Sequence, residues 1–370
     1  RADWFPAADA DRRPADSYDR QHWFDAVGRE CHHVAEHVGV LELTGFSRFR
    51  VIGIGAGNWL AEQVTGNLPR VGRIGLVYFA SPRGRVLSEM TATRFADNDF
   101  LLMTGAGAYW HDRDLLNSRL PDDGSVTIDD VTADLATVLI TGPKAPALLA
   151  DVAGLATDAA AFPWLSHKTI TIGGVDMLAV RVSFAGESGW ELHMAMDDLV
   201  TVYDAVMAAG APYQIGHFGM LALDSMRLEK GYRSWKSDLT SDYTMLESGL
   251  GRWVNFDKAT FVGRAALQAE FQAGCGRDFI TLVLDDPDDD GPFGEAVYLS
   301  SVYIDGVVAG LVVSAGYGHR VGASIAMAVV DRDAVAKAQD ISVLVLGRQR
   351  RARLIDGGVL YDPSNSKLKA

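Results

Sequence analysis

The chain has 370 residues, more than one hydrophobic core commonly serves, and its 48 % apolar content can fill the two or three domains that this length implies. Forty-eight acidic residues against 34 basic ones leave a formal charge of -14, a balance that repels phosphate backbones and argues against nucleic acid as a partner. No stretch nears the roughly 18 uncharged apolar residues of a membrane span, and no basic, then apolar, leader opens the chain, so neither a membrane nor export is expected.

Residues 1 to 22, rich in Asp, Arg, Ala and Pro, read as an extended linker or surface arm. Trp23, Phe24, Val27, Cys31 and Val34 recur at helical spacing and predict a helix to about His37, followed by a strand from Val38 to Leu43. Arg48 to Ile52 and Gly53 to Leu60 read as a strand, a glycine turn and a helix start. The run lacks the third glycine and the acidic ribose partner of a dinucleotide fingerprint, so a structural turn is the better reading.

Three strands are expected at Ile74 to Phe79, Val86 to Ala92 and Phe100 to Thr104, another at Ala136 to Ile140, and helices at Asp112 to Arg119 and Ala145 to Val152. Thr169 to Ile172 and Met177 to Ser183 pair across Gly173-Gly174, a hairpin signal. Leu199 to Ala209 and Gly219 to Leu228 predict helices bounded by glycine. Beyond about Phe271 short strands dominate: Phe279 to Leu284, Ala296 to Leu299, Gly306 to Ser314, Ser324 to Val330 and Ile341 to Leu346. Asp285 to Asp290 reads as an exposed acidic loop, and Arg348 to Arg353 as a solvated strand edge or a basic patch. The unalternating mixture argues for an α+β, multi-domain chain: an arm over 1–22, a mixed core over 23–270 and an all-β, barrel-like domain over 271–370.

The segment most suggestive of chemistry is Phe184-Ala185-Gly186-Glu187-Ser188-Gly189-Trp190-Glu191-Leu192-His193, which follows the strand-like run Ala179 to Ser183. It reads either as a tight turn with two solvated glutamates or as a turn delivering Glu191 to a pocket. There a planar, acceptor-only carboxylate takes two parallel N–H bonds from a guanidinium-like edge such as that of a pterin. Cys31 and Cys275 form neither a disulfide framework nor a zinc pair, and the nine histidines show no His-Glu-x-x-His pattern. No metal is expected, and a reducing compartment fits.

Arg181 to Leu192, together with Ala222-Leu223-Asp224-Ser225-Met226-Arg227-Leu228-Glu229-Lys230-Gly231-Tyr232-Arg233-Ser234-Trp235, resembles the folate-binding aminomethyltransferase family. That family includes the glycine cleavage T-protein and the C-terminal halves of sarcosine dehydrogenase, dimethylglycine dehydrogenase and dimethylglycine oxidase. The likeness runs from Trp4-Phe5 to Leu360-Tyr361-Asp362-Pro363, and the Glu-Lys-Gly-Tyr-Arg-x-Trp form resembles the flavoenzyme branch. It implies two interleaved core subdomains and a C-terminal barrel, and, with the start at Arg1, one part of a longer polypeptide. The implied compartment is the cytoplasm, or the mitochondrial matrix in a eukaryote.

By the same resemblance the family's catalytic acid, usually Asp, falls on Glu89 within Pro82-Arg83-Gly84-Arg85-Val86-Leu87-Ser88-Glu89, a departure that matches the dimethylglycine dehydrogenase pattern. Without the resemblance, Glu89 would read as a surface residue on a strand. Glu191 becomes the acceptor for the pterin amino and N3–H edge. Phe184, usually Tyr in the family, becomes a ring packing on the pterin, and His111 and Trp235 are further pocket candidates. Glu187 and the Arg227–Glu229 pair read as structural, and Leu223, where the T-protein has Arg, argues against a lipoyl carrier. The implied cofactor is tetrahydrofolate. FAD is expected only on an upstream region or partner, since these residues carry no flavin fingerprint.

The implied activity is capture of the carbon released by oxidative N-demethylation, as formaldehyde or an iminium from a methylated amine of the dimethylglycine or sarcosine type, giving 5,10-methylenetetrahydrofolate. Methyl transfer from a sulfonium, amine or aryl ether donor, and a non-catalytic folate-binding scaffold, are the alternatives.

Overall fold

The computed structural model describes residues 2–6, 17, 19–286 and 294–369. Helix α1 (Phe24–Glu36) leads through β1 (Val38–Glu42) and β2 (Phe46–Ile52) to α2 (Ala56–Gln63) and the meander β3 (Ile74–Ala80), β4 (Val86–Ala96), β5 (Asp99–Gly105). Then come α3 (Tyr109–Asn117), β6 (Thr127–Asp130), β7 (Leu135–Thr141), α4 (Ala145–Ala153), β8 (His167–Ile172), β9 (Val175–Val180) and β10 (Gly189–Ala195). Helix α5 (Leu199–Gly210), β11 (Ile215–His217), α6 (Met220–Glu229) and α7 (Arg264–Ala273) complete the mixed region. The remainder is β12 (Arg277–Leu284), β13 (Ser301–Ile304), β14 (Val307–Gly318), β15 (Ala323–Asp331), the short α8 (Arg332–Val335), β16 (Ile341–Val345) and β17 (Arg348–Leu354).

Side chains alternate between the faces of a strand, and that alternation builds three layers here. In the six-stranded sheet β11-β1-β7-β10-β9-β8, Val138, Ile140, Trp190, Leu192 and Met194 share one core with Leu148 of α4 and Val202 and Val206 of α5. Trp190 is fully buried there, worth about 1.5–3 kcal/mol on the scale of large apolar side chains. In the five-stranded sheet β3-β4-β5-β2-β6, Phe49, Val51, Val77, Phe79, Met90, Ala92, Phe100 and Leu102 pack under Leu60 of α2 and Leu116 of α3. The intervening residues of both sheets point the other way, and the fully buried Arg48 of β2 donates from Nη2 to Thr137 Oγ1 of β7 at 2.5 Å. The faces that carry Arg48 and Thr137 therefore confront each other across a cleft, flanked where α1 and α6 pack on Leu41 and Leu139 and where α7 packs near Tyr78 and Ala80.

Strands β12-β15-β14-β13-β16-β17 close into a six-stranded barrel around Leu282, Val302, Val312, Ala328 and Val343. Its main clasp to the mixed region is the Arg320 guanidinium, with Arg227 reaching Ser314 as a second tie. Arg320, between β14 and β15, donates to Glu229 Oε2 at 2.5 Å, to Glu187 Oε1 at 3.2 Å and to the carbonyls of Ala185 and Met226. Tyr361 lies against it at 3.7 Å and donates its hydroxyl to Glu187. Burial pushes both carboxyls up while Arg320 draws them back. Gly186 turns with φ +81° where a side chain would collide with Lys230, and Lys230 donates to Asp362 O and Asn365 Oδ1. The structural reading of Glu187, Arg227 and Glu229 thus takes a specific form: they join domains rather than merely close turns.

Several expectations change. Residues 2–6 are docked rather than free: Ala2 and Asp3 carbonyls accept from Met220 and Leu221 at the start of α6, and Phe5 N donates to Glu30. Residues 7–16 of the expected arm, and Asp288 to Asp290 of the acidic loop, lie outside the described residues. Ala296 to Leu299 is not a strand, because Leu299 takes φ +68°, in the left-handed region that ends a ladder. The strand expected to reach Ser183 stops at Val180, where Arg181 turns its backbone to Ser166. Arg348 to Arg353 is no sheet edge, since β17 is flanked by β12 and β16, and Arg350 bonds Asp285 O. Strands β6, β11 and β13 and helices α7 and α8 were not anticipated.

Truncating Arg320 to Ala strands two buried carboxylates, so it is expected to cost about 3–5 kcal/mol, read as a lower urea midpoint; an unchanged midpoint would refute the clasp.

Candidate active site

The inner face of the five-stranded sheet carries Arg48 and Arg50 on β2, Leu101 and Met103 on β5, Glu89 and Thr91 on β4 and Tyr78 on β3. Register fixes their rows: Arg50 pairs with Leu101 and Leu101 with Thr93, Arg48 with Met103 and Met103 with Thr91, and Glu89 lies one step further, opposite Tyr78. On the facing sheet, His193 pairs with Thr137, and Glu191 pairs with Leu139 and Val180 one step further. The Arg48–Thr137 bond joins the two middle rows. Glu89 and Glu191 are both displaced from it toward the segment after α6, which carries Tyr232, Arg233 and Trp235. These two sequence-expected carboxylates therefore sit on opposing walls of one cleft.

Glu89 is not the solvated strand glutamate that was the alternative. Burial raises its carboxyl to about 7, with the Tyr78 hydrogen bond and the Arg233 charge pulling down and Asp238 pushing up. Burial also drives the Tyr78 hydroxyl well above its ordinary value and pulls the Arg233 guanidinium down. Arg233 lies over the Phe279 ring of the barrel at 4.2 Å. Asp238, fully buried, accepts from Arg227 at 2.6 Å and from Ser234 N, which holds the 234–238 loop against the end of the cleft.

The other expected residues gather at this end. Phe184, more than a third exposed, stacks on Tyr232 with centroids 5.9 Å apart and planes at 15°. Trp235 Nε1 is buried without a hydrogen-bond partner, and the Trp235 ring lies 6.1 Å from His111. His111 Nδ1 meets Asp112 Oδ1 at 2.8 Å, and Asp112 also accepts from Thr104 at 2.7 Å, so a fully buried carboxylate orients the ring.

Glu191 retains access to solvent on 16 % of its side chain, and its Oε2 lies 3.3 Å from His193 Nε2. Toward the opposite mouth, the same cleft opens into a cavity of about 490 Å³ whose wall includes Arg50, Leu101, Asp134, Leu178 and His193. Sequence reasoning did not single out Tyr78, Arg48, Arg233, His193 or Arg320. Tyr78 and Arg48 owe their roles to cross-strand and cross-sheet neighbours that spacing does not reveal. The Gly53 turn proves structural: with φ +123°, a side chain there would strike the Ser125 backbone. No helix among the described residues is long and apolar enough to cross a membrane.

Residues 1–258 match the GCVT N-terminal domain, and residues 277–362 match the glycine cleavage T-protein C-terminal barrel domain. The chain belongs to the glycine cleavage T-protein family. Mitochondrial dimethylglycine dehydrogenase of Mus musculus is 32 % identical over 99 % of this chain, which spans 42 % of that protein. The aminomethyltransferase of Shouchella clausii is 26 % identical over 90 % of this chain and 89 % of its own length. The crystal structure of the glycine cleavage system aminomethyltransferase T of Bartonella henselae superposes with a TM-score of 0.79, covering 94 % of each chain at 21 % identity. That likeness shows the fold: a mixed α/β aminomethyltransferase-like region with a closed C-terminal barrel.

Burial makes the folded chain hold the Glu89 proton more tightly than the unfolded chain does. Its contribution to stability is therefore complete below pH 4.5 and lost as pH rises through about 7. Replacing Glu89 with Gln is expected to leave the melting temperature unchanged at pH 4.5 and to raise stability at pH 8 by on the order of 2–3 kcal/mol; calorimetric scans at both pH values check this, and equal curves at pH 8 would contradict it.

Proposed function

We propose that this T-protein family member binds tetrahydrofolate in the inter-sheet cleft and captures a one-carbon unit, delivered as formaldehyde or an iminium from a demethylated amine, as 5,10-methylenetetrahydrofolate. The observation that carries the reading is Glu89: a desolvated carboxyl near neutrality, facing a wall that bears the carboxylate of Glu191. General acid–base work is most efficient when a group's pKa lies close to the working pH. The identity of 32 % to a dimethylglycine dehydrogenase, against 26 % to an aminomethyltransferase of glycine-cleavage type, supports an amine demethylation as the carbon source.

Bound tetrahydrofolate supplies two nucleophilic amine nitrogens, N5 and N10. The chain's own residues supply the rest. Glu191, acceptor-only and planar, takes parallel N–H bonds from the pterin edge with the lone pairs that His193 leaves open. Phe184 and Tyr232 offer aromatic faces of the size a bicyclic ring needs. The unpartnered Trp235 Nε1–H is a donor awaiting an acceptor. Arg233, with the exposed Arg252 and Lys236 beside Trp253 and Trp235, makes this end locally positive on an acidic protein and suits an anionic folate tail. The Glu89 carboxylate takes the proton released as nitrogen bonds carbon, and its acid form returns a proton to the oxygen that departs as water when formaldehyde is the donor. Holding the reactants together contributes most of the acceleration. FAD and the oxidised amine belong, on this reading, to a flavin-dependent part or partner.

Replacing Glu191 with Ala is expected to weaken tetrahydrofolate binding by about 1–3 kcal/mol, measured by anaerobic calorimetric titration; unchanged affinity removes Glu191 from the site. Formaldehyde with tetrahydrofolate should condense faster than the uncatalysed rate, with an ascending pH limb near 7 that disappears in Glu89→Gln. An uncatalysed rate in the native protein would leave binding alone, and a 5-methyl product from a methyl donor would redirect the reading to methyl transfer.

A further inference from the structure

Behind Glu191 runs a line of buried polar side chains that ends on it. Arg48, with no accessible surface, donates to the carbonyls of Thr44 and Phe46 from Nη1 and to Thr137 Oγ1 from Nη2 at 2.5 Å. Thr137 Oγ1 lies 2.8 Å from His193 Nδ1. His193, 2 % exposed, brings Nε2 to 3.3 Å from Glu191 Oε2. Nε2 is buried without a hydrogen-bond partner, and Glu191 Oε2 is the acceptor it approaches. The charges acting on Arg48 are those of Glu191 and Glu42, so the chain of contacts connects a buried cation to the carboxylate at its far end.

The chemistry of each link sets a direction. A guanidinium only donates, so the Thr137 oxygen is an acceptor toward Arg48. Its hydroxyl hydrogen is then available to His193 Nδ1, which acts as acceptor. A neutral imidazole with Nδ1 accepting carries its hydrogen on Nε2, the ring atom 3.3 Å from Glu191 Oε2. Glu191 Oε2 is thus the carboxylate oxygen within reach of a buried donor that has no other acceptor.

We propose that His193, set in its Nε2–H form by Thr137 and Arg48, is a positioning residue that holds Glu191 in the orientation for recognising a ligand edge with two adjacent N–H donors. The proposal rests on the tetrahydrofolate reading and deepens it: the affinity of the site is set partly by a relay reaching through the facing sheet. Pre-organised partners of a binding group save the ordering cost that a free side chain incurs on binding.

Long-range ¹⁵N–¹H spectra of the native protein are expected to show His193 as the Nε2–H tautomer, and the Nδ1–H tautomer would overturn the proposal whether or not any variant folds. His193→Phe and Thr137→Val should each lower tetrahydrofolate affinity roughly tenfold, measured well below each variant's melting transition because Thr137→Val also strands Arg48 Nη2 and His193 Nδ1. In a Glu191→Ala background neither should lower it further. Equal losses in both backgrounds, or no loss from His193→Phe, would reduce His193 to a structural role. Should Glu191→Ala itself bind as the native chain does, the tetrahydrofolate reading fails at that residue. A loss from Glu191→Ala without one from His193→Phe defeats the relay alone.

Discussion

Two sheets, each with one face fully packed under helices, turn their more polar faces toward each other, and α1 and α6 over Leu41 and Leu139 and α7 over Tyr78 and Ala80 flank the space between. The strands alternate strictly enough that each helix-covered side is apolar while the confronting sides carry Arg48, Glu89, Thr137, Glu191 and His193. A closed apolar interface would have produced a tighter sandwich. Polar inner faces instead leave a cleft, in which Arg48 and Asp238 hold hydrogen-bond partners while Arg233 Nε, His193 Nε2 and Trp235 Nε1 are buried without one.

The barrel's part in this arrangement is electrostatic as much as steric. Arg320 reaches out of the barrel to two carboxylates that the mixed region places side by side, Glu187 in the turn before β10 and Glu229 at the end of α6. Those same elements lead into Glu191 and Tyr232. A clasp that fixes the turn before β10 and the segment after α6 also fixes both ends of the cleft, so domain packing and site geometry are one problem rather than two. Arg227 adds a second tie, from Asp238 to Ser314 of the barrel.

Within the cleft, environment separates the two carboxylates. Glu89 sits among Tyr78, Arg233 and Asp238 with its carboxyl raised to about 7, suited to moving a proton. Glu191 faces the cleft with one oxygen near His193, suited to accepting bonds. On the proposed function, this difference gives proton transfer to Glu89 and ligand recognition to Glu191.

Local chemistry alone determined much of this protein. Period-two and period-3.6 patterns located the meander, the Gly173-Gly174 hairpin, α1, α5 and α6, because those elements bury one face whatever lies opposite. The turn chemistry around Gly186 and Gly189 marked the strand that carries Glu191. Short elements such as β6 and β11 escaped notice, since three or four residues hold too little pattern, and Ala296 to Leu299 misled because apolar content does not reveal a left-handed Leu299. Only tertiary structure decided which residues share the cleft. Tyr78 meets Glu89 through strand register, Arg48 reaches Thr137 across two sheets, and Arg320 comes from another domain. Arg320 and Ala185, for example, lie 135 positions apart, and the energies that favour such contacts depend on burial and distance, quantities that exist only once the chain has folded.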